Sequence, residues 1–98
     1  MSETVHVVAT LEAAPGKAAQ LKRLLEGLIE PTRREAGCIT YRLLEGLDRP
    51  DQFTFVEEWE SAAALEAHAA SAHLQQARGR YPELLAGAVD LRRCALVG

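Results

Sequence analysis

Short extended runs alternate here with amphipathic helical ones in the order strand, helix, strand, strand, helix, strand, and that order constrains the fold more than any single motif. Val5-His6-Val7-Val8-Ala9-Thr10-Leu11 is apolar and β-branched, which predicts a first strand. Ala13-Ala14-Pro15-Gly16 breaks it, with Pro15 suited to a helix start. Leu21, Leu24, Leu25, Leu28 and Ile29 then recur at helical spacing as one stripe, and Lys22, Arg23, Glu26 and Glu30 fall largely outside it. Pro31 is expected to kink this helix or end its regular part, and Gly37 to cap its C-terminus. Residues 38–44 and 53–59 predict a second and a third strand, joined as a hairpin through a turn holding Pro50-Asp51. Ser61 is a candidate N-cap for an alanine-rich helix through Leu65 and His68. A further helical piece is expected from Ser71 to about Arg80, interrupted by Tyr81-Pro82, and residues 89–96 predict the last strand.

This order predicts one α+β domain over residues 1–98: a ferredoxin-like βαββαβ antiparallel sheet with its helices on one face. Along the first strand Val5, Val7, Ala9 and Leu11 point one way and His6, Val8 and Thr10 the other. Along the third, Phe53, Phe55 and Trp59 oppose Thr54 and Val56. Both faces carry apolar residues, yet a short chain has helices enough for one, so a homodimer packed sheet to sheet is expected. The second and fourth strands would lie on opposite edges, too far apart for a Cys38–Cys94 bridge, and both thiols are expected to be buried and reduced.

Net charge is −3 at neutral pH and Lys and Arg are scattered, so neither a nucleic-acid footprint nor a membrane-seeking face is indicated. The start lacks a basic stretch followed by an apolar run, and a cytoplasmic address is expected. No GxGxxG, P-loop, GxSxG or CxxCH occurs, so no cofactor is expected and a substrate would have to bring most of the reactivity. His68 and His73 stand five apart, roughly 140° around one continuous helix, which is not a metal-binding spacing; no metal site is expected. Glu57 and Glu58 should point to opposite faces of their strand.

What remains is a set that could line a pocket between helix and sheet. His68 is the candidate base, with His73 and Tyr41 assisting, and Trp59, Phe55 and Phe53 are candidates for the wall around a small aromatic substrate. Each has a plainer reading: Phe53 and Phe55 as core, Trp59 as an interface staple, Tyr41 as a core cap with its hydroxyl in water, and the histidines as partners of backbone at the helix break. Arg42, Arg78 or Arg80 could hold an anionic group instead.

Glu35-Ala36-Gly37-Cys38-Ile39-Thr40-Tyr41 is followed by Asp48-Arg49-Pro50-Asp51-Gln52-Phe53, then Glu57-Glu58-Trp59, then His68-Ala69-Ala70-Ser71-Ala72-His73. This succession resembles the antibiotic biosynthesis monooxygenase family across nearly the whole chain. The resemblance implies a dimeric α/β barrel of two ferredoxin-like subunits with a pocket in each, and activities that include oxidation of quinols and anthrones by dioxygen without metal, flavin or haem. It also reaches haem-degrading members that use an Asn, a Trp and a His as a set; here the matching positions are Ala9, His68 and Arg78, so haem is not expected. The family also includes isomerases of small phosphorylated diketones, so an isomerase or lyase of a small enolisable carbonyl compound is a second possibility and a non-catalytic small-molecule-binding dimer a third.

Overall fold

Period-two alternation decides which way each strand faces, and the sheet follows from it. A computed structural model describes residues 3–98. Strands β1 (Val5–Glu12), β2 (Cys38–Glu45), β3 (Gln52–Trp59) and β4 (Asp90–Cys94) form one antiparallel sheet in the order β2-β3-β1-β4. Helices α1 (Ala18–Glu26), α2 (Ile29–Arg33), α3 (Ala62–Ala69) and α4 (Ala72–Leu84) complete the chain. The pairs Val7↔Glu57, Ala9↔Phe55 and Leu11↔Phe53 put one parity of β1 and β3 on a common face, to which Tyr41↔Glu57 adds β2. That face is buried with Leu21 and Leu25 of α1, Leu65 of α3 and Leu74 of α4. The expected βαββαβ order and ferredoxin-like topology hold.

The opposite face is more polar than its sequence implied. Val8 pairs with Val56 across its centre, and Leu44 stands beside Thr54. Around that strip, Thr10 Oγ1 lies 3.3 Å from Thr54 Oγ1, the Thr40 hydroxyl donates to Glu58 at 2.9 Å, and His6 lies 3.7 Å from Glu58. Val56 and Leu44 are exposed.

Four local expectations need correction. The first helix ends at Gly27, where a tight turn (Leu28 N–H to Leu25 O, 3.1 Å) starts α2; Pro31 falls inside the first turn of α2, where its missing N–H costs nothing. Gly37 does not cap a helix directly but enters β2 with φ +85°, and a Cβ there would sit 2.5 Å from the Ala64 Cβ of α3. Tyr81-Pro82 does not interrupt α4, which continues to Leu84. Proline forfeits one helical bond, but the last turn is held by tertiary contacts: Leu84 is buried, its carbonyl accepts from Ala14 N at 2.8 Å, and Ala86 N donates to Glu12 O at 2.8 Å. β4 is shorter than expected and exposed throughout, so Cys94 is exposed while Cys38 is half-buried; both thiols are free.

Ser61 caps α3 as expected, its hydroxyl accepting from Ala64 N at 3.1 Å. α3 then stops at Ala70, and Ser71 caps a new helix, accepting from Leu74 N while donating to His68 O at 2.7 Å. That break positions the site.

Candidate active site

The inner sheet face and helices α3 and α4 enclose a cavity of about 230 Å³. Phe55, Ala9 and Leu11 form its floor, Leu65 and Leu74 its helical side, and Tyr41, Glu57, His68, Arg78 and Tyr81 its polar atoms. A small, mostly apolar space with a few converging polar groups is the usual form of a small-molecule site. Of the six residues singled out from the sequence, His68, Tyr41 and Phe55 line it.

Phe53, Trp59 and His73 do not line this cavity. Phe53 is buried in the core beside Leu11. Trp59 is fully buried; its indole N–H donates to Glu57 at 2.8 Å, and its ring centroid lies 4.7 Å from that of His68. It therefore backs the acid and the imidazole instead of meeting a guest. His73 sits behind His68, their ring centroids 6.1 Å apart.

Separate helices carry the two histidines, so the 140° separation of a continuous helix does not apply. The turn at Ala70-Ser71 brings both onto one carboxylate that precedes β2. His68 Nδ1 lies 2.7 Å and His73 Nε2 2.8 Å from the same Glu35 oxygen, Oε2. A carboxylate only accepts, so both ring nitrogens carry their protons toward it. Ser71 Oγ, 3.3 Å from His73 Nε2, already donates to His68 O and can only accept from that ring. A neutral His68 is accordingly the Nδ1–H tautomer, with the lone pair on Nε2. Ring orientation is fixed further by Trp59 and by Tyr41, whose centroid stands 5.6 Å away, edge-on.

Glu57, whose direction toward pocket or partner the sequence leaves open, belongs to the site. It faces inward as Glu58 faces outward, and it is almost fully buried. Burial raises its pKa above the ordinary carboxylate value; the Trp59 N–H and the nearby His68 oppose that rise, and Glu35 adds to it. Its parity with Phe53, Phe55 and Trp59 was the available signal: a carboxylate in the aromatic register of a core strand. Glu35 had a weaker one, standing at the head of the Glu-x-Gly-Cys run. Tyr41 is buried, not capping the core with its hydroxyl in water; it stacks on Phe55 at 4.7 Å, and burial pushes its hydroxyl pKa well above the usual range. Tyr81 is raised in the same way, with Arg78 opposing. Of Arg42, Arg78 and Arg80, Arg78 reaches the cavity.

A two-histidine, one-carboxylate cluster against a small apolar cavity, on a ferredoxin-like sheet, narrows the class, and comparison with known proteins supplies the family. The antibiotic biosynthesis monooxygenase family matches residues 4–80, and the chain belongs to it. A Mycobacterium tuberculosis protein is 36% identical over 87% of this chain and 83% of its own length, and a Bacillus subtilis protein 28% identical over 90% and 93%; both carry monooxygenase names given provisionally. A Synechocystis relative of unassigned function is 29% identical over 92% of the chain, which spans 61% of that relative's length. Among solved structures, one from Pseudomonas aeruginosa superposes with a TM-score of 0.94 at 34% identity, covering 100% of this chain and 98% of that one. The Mycobacterium tuberculosis structure superposes at 0.92 with 32% identity over 98% and 97%. No helix among the described residues is long and apolar enough to cross a membrane.

Proposed function

We propose that the cavity binds a quinol or small polycyclic phenol and that the protein oxidises it with dioxygen as a cofactor-free monooxygenase, working as a homodimer. The observation that carries this reading is the Glu35–His68 hydrogen bond at the wall of an apolar cavity. Glu35 fixes the tautomer that leaves Nε2 as a proton acceptor, and as Nε2 takes a phenolic proton the carboxylate steadies the imidazolium. An electron-rich phenolate in low-polarity surroundings then reduces dioxygen itself. The balance closes without an outside reductant: a hydroquinone and O₂ give a hydroxyquinone and water, one oxygen atom entering the ring and the other leaving reduced. Burial biases Glu57 toward its neutral form, a hydrogen-bond donor suited to the guest's other oxygen. Tyr41 and Phe55 hold the ring plane.

Arg78 favours a second reading. A guanidinium on the cavity, with Nη1 already donating to Ala69 O at 3.1 Å, could hold an anionic group of an enolisable carbonyl compound, and His68 would then serve an isomerase or lyase. Chelator-treated protein supplied with hydroquinones and anthrones under ¹⁸O₂ separates the two. Oxygen uptake above a boiled control, with one labelled atom in the product, supports the oxygenase. Proton exchange from an enolisable substrate without uptake supports the isomerase, and saturable binding without turnover would contradict both.

A further inference from the structure

We propose that Glu35, His68 and His73 form a site for a first-row divalent transition metal, zinc foremost, lying one imidazole's width behind the cavity and able to switch His68 off as a base. Their ligating atoms all lie within 4.8 Å of one another. Two imidazoles and a carboxylate are the donor types that zinc takes, with three protein ligands leaving one position for water.

Geometry asks for little movement. The carboxylate oxygen is 2.7 and 2.8 Å from the two nitrogens, whereas tetrahedral ligands at zinc bond lengths of about 2.0–2.1 Å stand about 3.3 Å apart. The rings must therefore part from Glu35 by about half an ångström, and their two nitrogens, which stand no more than 4.8 Å apart, must settle at that same tetrahedral spacing to admit the ion. Ser71 holds the backbone between the helices that carry them, and Trp59 packs on His68, so the ligands are already brought together. The His73 side chain is a quarter exposed, which opens a path from solvent.

Position gives the site its consequence. Glu35 and His73 do not line the cavity, so the ion would not meet a substrate bound there. It would act through His68. Nδ1 must surrender its proton to bind metal, and the neutral ring then carries that proton on Nε2; His73 makes the reverse exchange, from Nε2 to Nδ1. No proton is gained or lost overall, but the nitrogen that accepted a phenolic proton has become a donor. Filling the site thus stops base catalysis without occupying the pocket. This consequence rests on the oxygenase reading, whereas the site itself does not.

The test uses untagged, chelator-stripped full-length protein carrying Cys94→Ser, so that the exposed thiol does not compete. Zinc is titrated by equilibrium dialysis, and imidazole nitrogens are followed by ¹H–¹⁵N spectroscopy. One zinc per chain is expected, with His68 passing from Nδ1–H to Nε2–H. His73→Gln and Glu35→Gln, each with wild-type circular dichroism, should weaken zinc at least about tenfold. Equal affinity in the folded variants, no saturable binding up to about 1 mM, or an unchanged His68 tautomer in the zinc-bound protein would overturn the proposal. Where quinol-dependent oxygen uptake is present, stoichiometric zinc should depress it at least tenfold and a chelator restore it; undiminished uptake with zinc bound would refute the switch. A protein with no uptake at all faults the oxygenase reading and leaves both zinc readouts standing.

Discussion

Glu57 shows how much one side chain can carry that a motif search misses. Sequence placed it on a strand and left its direction open; the register with Tyr41 and Val7 turns it inward, against Trp59 and the cavity. Because burial raises its folded pKa, the native state binds its proton more tightly than the unfolded chain does. Stability should then fall as pH rises from the ordinary carboxylate value through the raised one, and the penalty persists above it. Glu57→Gln keeps an acceptor for the Trp59 N–H and removes the titration. Urea unfolding should show the variant gaining on wild type as pH rises above the ordinary carboxylate value, and a pH-independent difference would contradict the buried-acid account. His68 was legible as a residue and as a candidate base. Its partner was not, because Glu35 lies 33 positions away and meets it only through the fold.

At the scale of elements, the first three strands and the Ser61 cap were legible because their signals are local: β-branched alternation, and a serine before an alanine-rich run. The join between α3 and α4 was not, since nothing near Ser71 says how far two short helices turn from each other. Ser71 should matter twice, as the cap of α4 and as the donor to His68 O. Ser71→Ala is expected to cost about 0.5–2 kcal/mol in denaturant unfolding and to lower activity less than loss of His68 does. Gly37 tests the packing of β2 against α3. With φ +85° and a Cβ position 2.5 Å from Ala64, Gly37→Ala should destabilise by more than about 1 kcal/mol and disturb the helix that carries His68. Gly79→Ala is the control: it is helical with open space around it and should stabilise by about 0.5–1 kcal/mol. Equal effects at the two glycines would refute the packing argument.

For the whole molecule, topology and family were within reach of the sequence because element order and the spaced motifs span the chain. The outer face of the sheet was read less well: alternation marks a face as apolar or not, but not that its threonines and Glu58 pair among themselves. A homodimer closed over the Val8–Val56 strip should lose association in Val56→Asp, read by light scattering across a concentration series with secondary structure unchanged. A dimer unaffected by that change would have to use another surface. For the cavity and its base, the decisive measurement is oxygen uptake by chelator-treated wild type and His68→Gln on the same quinol. Wild type should show saturable uptake, and a variant that folds and still binds the guest should fall by about 10²–10⁴-fold. Full uptake by His68→Gln would remove the Glu35–His68 pair from the mechanism.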